Sequence, residues 1–227
     1  MADDDDGDND DVEPSSISFH AAFARRRLHW LKDGVWACEG RQGWDAATAE
    51  PAEASDSLFW LRTFDGRRPP LFKWFVGGLT SAAFNECDRH VLDGRGALPA
   101  LIHTAAASPA ADHNDGDYDN KETVRRCSYA SLLRGSTAAA AFLWDQCGCS
   151  IGDRLLFLGP STLEQAVWVA AAKRAGLPFS CVSDGTPARL VAERAELMGT
   201  GAYSSADRVI AIIDEKIADL TSAVAGG

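Results

Sequence analysis

The first thirteen residues contain no Lys or Arg at all, while they hold Asp3, Asp4, Asp5, Asp6, Asp8, Asp10, Asp11 and Glu13. A secretory leader needs positive charge followed by an apolar core, so this N-terminus does not read as one. Long hydrophobic runs are missing too. The most apolar short stretch, Ala138–Trp144, is far below the length that spans a bilayer. No basic stripe of the kind that tracks nucleic acid is present. Metal-ligand spacing is equally scarce. Of the six cysteines only Cys147 and Cys149 lie close, as C-G-C, without a second pair to complete a zinc site. Free thiols in a reducing compartment follow as the expectation, and with them a cytoplasmic location, although an acidic N-terminus does not rule out an organelle.

The formal net charge of −11 is unevenly placed. Eight of the negative charges sit in the N-terminal run, which leaves the remaining chain only mildly acidic, at about −3. A run of like charges repels itself and buries nothing, so residues 1–16 read as a disordered acidic tail.

Residues 17–75 mix aromatic and charged side chains, within an N-terminal segment read as 17–92. The pattern predicts a short helix capped by Ser18, with Phe19, Phe23 and Trp30 along one stripe, Arg25 pointing away from it and Arg26 and Arg27 flanking it. Gly40–Ser57 reads as loop or frayed helix. A dense aromatic set follows, from Leu58-Phe59-Trp60-Leu61 to Phe72, Trp74 and Phe75. Four of the seven tryptophans lie between residues 30 and 60, and such a concentration predicts packing over a core.

Beyond Gly77-Gly78 the pattern alternates between strand and helix. Ala97–Thr104 and Val124–Cys127 are strand candidates, separated by a polar loop over residues 105–120. Ser128 is placed to cap a helix running to about Gln146, with Gly148 as a left-handed terminator. Leu155-Leu156-Phe157-Leu158 is a continuous apolar run, as a buried parallel strand requires. Ser161 and Glu164 have the spacing of a capping box, and the helix they open ends at Gly176. Phe179–Ser183 is the next strand, which completes a βαβ unit. Pro187–Leu197 reads as a helix. So does the stretch from Ser205 or Ala206 to about Val224, on the helical spacing of Val209, Ile210, Ile213, Ile217 and Leu220.

Two blocks of residues resemble one family. The first is Lys73-Trp74-Phe75-Val76-Gly77-Gly78, then Phe84-Asn85 and Cys87-Asp88-Arg89-His90-Val91. The second is Ser128-Tyr129-Ala130-Ser131-Leu132, then Gly152-Asp153-Arg154-Leu155, Glu164-Gln165-Ala166 and Lys173-Arg174-Ala175-Gly176. Both are similar to the acetyl-/propionyl-CoA synthetases of the AMP-forming acyl-adenylate superfamily. Ser81 departs from the first motif, where the family often has Asn. The resemblance implies an α/β fold, here as a partial parallel-sheet βαβ subdomain over residues 93–200, preceded by the aromatic-rich N-terminal segment. Residues 201–227 then form a C-terminal helix without a family counterpart.

The resemblance also implies an activity for the complete family member, which joins a carboxylate, ATP and CoA into acyl-CoA with Mg, ATP and CoA as cofactors. A Ser/Thr/Gly-rich loop ending in Lys holds the phosphates in that family. Thr80-Ser81-Ala82 and Gly135-Ser136-Thr137 share only letters with it, so no catalytic residue, no metal site and no bound cofactor is expected in this chain alone. One contact carries over: by register from Arg194, Gly185 takes the place of the glycine beside CoA, with Asp184 replacing the glycine before it. The five histidines show no shared spacing, and Asp88 and Arg89 read as ties between the motif and its domain. The expected partners are a larger chain completing the domain or a protein complex, with neither nucleic acid nor a membrane span. A non-catalytic subunit docking through an exposed sheet face and the C-terminal helix is the alternative.

Overall fold

A computed structural model describes residues 14–52, 59–105, 123–199 and 208–213. The chain divides into two compact units, Met1–Ser81 and Ala82–Gly227. The expected acidic tail over residues 1–13 and the expected loop over 106–120 lie outside the described residues.

The first unit opens with helix α1 (Pro14–Arg27), so residues 14–16 belong to the helix rather than to the tail. The expected stripe is overturned. Ala21 and Ala24 face the core, while Phe19 is 65% and Phe23 50% exposed. The rings of Trp30 and Trp60 already occupy the space beneath the helix, which leaves room there for methyl groups only. Trp30 lies beyond the helix, in a strand, and its indole N–H donates to the Ala24 carbonyl at 3.1 Å.

Four short antiparallel strands follow in order: β1 (Trp30–Lys32), β2 (Val35–Ala37), β3 (Gly43–Asp45) and β4 (Pro51–Ala52). Asp33 and Gly34 both take positive φ, as a two-residue hairpin turn between β1 and β2 demands. Gly40–Ser57 therefore contains strands β3 and β4 where loop or frayed helix was expected, because pairing to β2 and between the two strands supplies the backbone partners that its polar composition concealed. Strands β5 (Arg62–Asp65) and β6 (Lys73–Val76) form a separate hairpin.

The aromatic set packs over a core in part: Phe59 and Trp60 are buried with Phe75 against them, whereas Leu61, Phe72 and Trp74 are exposed and Leu58 lies outside the described residues. Trp30 and Trp60 have centroids 5.0 Å apart, Trp60 and Phe75 4.8 Å, and Phe64 and Trp74 4.8 Å. Gly77 and Gly78 have separate structural reasons. Gly77 sits at φ +82°, and a Cβ on Gly78 would lie 2.7 Å from Cζ3 of Trp30.

The second unit begins with a helical segment, residues 82–95, that includes π-helical turns over Phe84–Asp88 and Val91–Arg95. Strands β7 (Pro99–Ala105) and β8 (Thr123–Ser128) occupy both expected positions, and they pair antiparallel as a two-stranded ribbon. Helix α2 (Tyr129–Asp145) starts where its sequence signal placed it, with the Ser128 hydroxyl accepting from the Ser131 amide at 3.2 Å. Gly148 takes φ +58°, as expected of a terminator. Next come β9 (Arg154–Leu158), α3 (Leu163–Ala175), β10 (Phe179–Val182), α4 (Ala188–Gly199) and β11 (Val209–Ile213).

The three strands form a parallel sheet in the order β10-β9-β11, so the molecule is α/β as read from its sequence. The central strand carries the continuous apolar run, and Leu155, Leu156 and Phe157 are all at most 2% exposed. Leu143, Ala171, Ala172 and Leu177 close the core around it.

Two expectations are corrected in this unit. Val209–Ile213 is a strand rather than the start of a helix, and the rest of residues 201–227 lies outside the described residues. Val209, Ile210 and Ile213 fit a helical stripe, but a five-residue run rich in β-branched side chains fits a buried strand equally well. Pairing along β9 decides it. The cap of α3 is Thr162 rather than Ser161. Its hydroxyl accepts from the Gln165 amide at 3.1 Å, and the Glu164 side chain turns instead to Arg125.

Candidate functional site

In parallel α/β sheets, ligands gather outside the carboxyl ends of the strands, where the strand order reverses. Here that place is unambiguous. The chain passes from β9 to β10 on one side, then crosses to β11 on the other. The carboxyl ends of β9 and β11 and the first turns of α3 enclose a cavity of about 90 Å³, lined by Phe157, Leu158, Gly159, Trp168, Ile212 and Ile213 among others.

Two carboxylates, Glu164 and Asp184, and one guanidinium, Arg125, stand at this end. Glu164 stands in the first turn of α3, where the helix dipole favours an anion, and its carboxylate already fills that role. Arg125 donates to it at 2.5 and 3.3 Å, and this guanidinium contact holds the Glu164 carboxyl below the usual carboxylate range. Asp184 lies in the turn after β10, beside Gly185. That turn is closed by the Thr186 amide donating to the Ser183 carbonyl at 3.1 Å, and by the Ser183 and Thr186 hydroxyls 3.2 Å apart. Gly185 is exposed, and a Cβ built on it would meet nothing within 4 Å.

A phosphate cradle needs convergent backbone amides and a free cation. The carboxyl end of the sheet offers a small cavity, two carboxylates and an open glycine. The Arg125 guanidinium there is engaged by Glu164, and Gly185 is open to solvent. Among the described residues no group of three or more His, Cys, Asp or Glu side chains could hold a metal ion.

The two letter matches to a phosphate loop have structural explanations. The Thr80 hydroxyl donates to the His29 carbonyl at 2.8 Å, at a bridge between Thr80 and Trp30. Gly135 and Ser136 lie inside α2 against α3. A Cβ on Gly135 would come 3.1 Å from Val167 Cγ1, and Ser136 is fully buried. These small residues let the two helices approach closely.

The best-formed polar constellation is a clamp that joins the two motif blocks. Arg174 of α3 donates to both oxygens of Asp88, at 2.6 and 2.9 Å, and its Nε donates to the Ser136 hydroxyl at 3.3 Å. The neighbouring residue of α3, Lys173, donates to Glu86 at 2.7 and 2.9 Å. Arg89 donates to the Asn85 carbonyl at 2.7 Å, and the His90 ring packs at a tilt against Tyr129 with centroids 4.5 Å apart. Burial depresses the His90 pKa, and the Arg89 and Arg95 charges add to the effect. The tie expected of Asp88 is therefore present, with Arg174 as its partner. Residues 82–92, expected with the N-terminal part, are held in the second unit by these contacts.

A second tie fixes the position of β11. Asp153 is 2% exposed and accepts from the Ser150 amide at 2.8 Å, the Arg208 amide at 2.9 Å and Arg208 Nη2 at 2.7 Å. The Arg208 contacts hold this carboxyl well below the usual carboxylate range. Sequence reading missed the role of Arg208, since it belonged to a stretch read as helical.

No family model matches the chain. Its sequence is 35% identical over 146 residues to an acetyl-coenzyme A synthetase of Rhodopirellula baltica, which covers 63% of this chain and 20% of that protein. It is 33% identical over 175 residues to an acetyl-coenzyme A synthetase of Burkholderia mallei, covering 71% of this chain and 24% of the relative. The chain thus spans between a fifth and a quarter of the length of these relatives. A solved structure of the acetoacetyl-CoA synthetase from Streptomyces lividans overlays 61% of this chain and 19% of its own, with 22% identity and a TM-score of 0.48. The resemblance carried by the two motif blocks thus extends over about two-thirds of the sequence, and the chain is an acetyl-CoA synthetase-like polypeptide.

Proposed function

We propose that these 227 residues form part of an AMP-forming acyl-CoA synthetase system and do not perform adenylation by themselves. In that chemistry a carboxylate attacks ATP to give acyl-adenylate and pyrophosphate, and the CoA thiol then displaces AMP to give the thioester. ATP, Mg and CoA belong to the assembled enzyme on this reading, and acetate or propionate is the substrate class. The single observation that supports the family's chemistry is the 33–35% identity to acetyl-CoA synthetases. The reading that this chain is inactive alone rests on its sequence, which contains no Ser/Thr/Gly-rich loop ending in Lys. Such a loop supplies the positioning and charge stabilisation that phosphoryl chemistry requires.

The partner on this reading is a larger chain that bears the phosphate loop and completes the sheet. Among the described residues β10 and β11 each pair only with β9, so each offers a free edge. The same edges favour a second reading, a non-catalytic subunit that docks through its sheet. The compartment proposed is the cytosol, supported by six cysteines that are all free. No helix among the described residues is long and apolar enough to cross a membrane.

Carboxylate-dependent exchange of labelled pyrophosphate into ATP tests the proposal. The purified chain is expected to show none, and to show exchange after mixing with a chain that carries the loop. Exchange by the chain alone refutes the reading. A stable complex without exchange favours the non-catalytic subunit.

A further inference from the structure

Positive charge without a counter-ion gathers at the tip of the β5–β6 hairpin. Residues 62–73 carry Arg62, Arg67, Arg68 and Lys73 against one carboxylate, Asp65, in a chain whose net charge is −11. Asp65 accepts from Arg67 at 2.6 and 2.8 Å and from Arg62 at 3.0 Å, so it is already engaged. Arg68 and Lys73 have no carboxylate partner among the described residues. With Asp65, Arg67 and Leu71 they line a concavity of about 260 Å³, and the three cations are exposed. The other basic run of this unit differs, because Arg25 and Arg26 both face Glu39.

The same unit carries charge of the opposite sign. Residues 1–13 hold eight carboxylates and no cation, and they end where α1 begins, at Pro14. Helix α1 brings that point near the hairpin. The His20 ring meets Trp74 edge-on, with centroids 5.1 Å apart, and Trp74 directly follows Lys73. His20 stands ~9 Å along the helix from Pro14. A thirteen-residue segment reaches up to ~40 Å, which is ample for the hairpin tip.

Tethering settles which anion meets this surface. A short linker holds its carboxylates there at an effective concentration on the order of millimolar, where ion pairs too weak to join separate molecules are occupied. The charge of that segment also opposes a nucleic acid or an anionic membrane on the same face. We infer that the acidic segment Asp3–Glu13 docks on the tip of the β5–β6 hairpin, its carboxylates pairing with Arg67, Arg68 and Lys73 around the concavity. The inference uses no part of the sheet's carboxyl end, so it stands apart from the adenylation reading.

The test treats the full chain with a zero-length carbodiimide, which joins a carboxylate to an amine only where the two touch, and reads the digest by mass spectrometry. The tryptic peptide of residues 1–25 has no acidic residue beyond Glu13, so its cross-links report the segment alone. Bonds from that peptide to Lys73 are expected, in clear excess over bonds to Lys32 or Lys173. The Lys173–Glu86 pair, 2.7 Å apart, supplies the positive control. Raising NaCl to 1 M shortens the screening length to about 3 Å and should lower the Lys73 yield about fivefold. Arg67→Gln combined with Arg68→Gln should lower it about threefold with tryptophan emission unchanged. Absence of the Lys73 product beside a positive control overturns the proposal, as does an equal yield at Lys32. Mixing ¹⁴N and ¹⁵N chains separates the remaining case: products of one isotope support the intrachain contact, and mixed-isotope products overturn it in favour of a second copy. If the double variant fails to fold, the salt series and the isotope mixture decide alone.

Discussion

Replacing Arg174 by alanine removes both of its hydrogen bonds to Asp88, made at 2.6 and 2.9 Å, together with the 3.3 Å contact to Ser136. The Arg174 and Asp88 side chains are 20% and 23% exposed, so the pair lies between two well-separated regimes. Exposed ion pairs contribute roughly 0.2–1 kcal/mol, whereas breaking a buried one costs about 3–5 kcal/mol. Water still reaches the Asp88 carboxylate left behind, which places the loss at about 2 kcal/mol. Asp88→Asn should lose somewhat less, because the amide oxygen still accepts one bond. In a double-mutant cycle the two changes should couple by about 1–2 kcal/mol, since they share one bidentate contact. Arg174→Lys should rescue only in part, since a single ammonium replaces the two-nitrogen fork and loses the Nε contact to Ser136. The chain has two compact units, so a single unfolding transition is not assumed. Amide hydrogen exchange in α2 and α3, read as an opening free energy, is the suitable assay. A coupling below about 0.5 kcal/mol would refute the view that the clamp holds residues 82–92 to the second unit.

Three further outcomes follow from other contacts. Gly78→Ala would force a Cβ to within 2.7 Å of Trp30, so a loss of about 1–3 kcal/mol is expected, with a changed tryptophan emission spectrum. The Asp153 carboxyl titrates well below its unfolded value of about 4, so the stability it supplies is present above that pH and lost as pH falls through the folded value. Asp153→Asn should accordingly flatten the pH dependence of thermal unfolding between neutral and acid pH, and should expose the β11 amides to exchange. Burial pushes the Cys87 thiol up to about 11, while Cys181 is exposed. At pH 8 an aromatic disulfide reagent should therefore modify Cys181 well before Cys87, as mass spectrometry of the digested chain can show.

The elements legible in the sequence were those with several local signals in agreement. Leu155–Leu158 is apolar without a break and sits at the sheet's centre. Ser128 precedes a helix that it does cap, and Gly176 ends α3 at φ +70° as a left-handed residue. Ambiguity arose where one signal served two structures. Val209–Ile213 satisfied a helical stripe, and only the presence of β9 as a neighbour made it a strand. Ser161 and Thr162 are adjacent hydroxyls, either of which can cap, and the backbone after Pro160 chose the second. Phe19 and Phe23 looked like core because they are apolar, but the core beneath α1 was already filled by distant rings. The clamp was half legible. Asp88 and Arg174 stood in the two blocks that carried the resemblance, but a contact between residues 86 positions apart leaves no trace in local spacing. Gly185 was placed only by family register, and its open surroundings supply no physical reason for a ligand there.

Equilibrium dialysis of the purified 227-residue chain against labelled ATP and Mg addresses the central claim most directly. Retention no greater than that of an inert protein of similar charge is the expected result. Saturable retention at micromolar ATP would contradict it, because it would require a phosphate cradle within these residues.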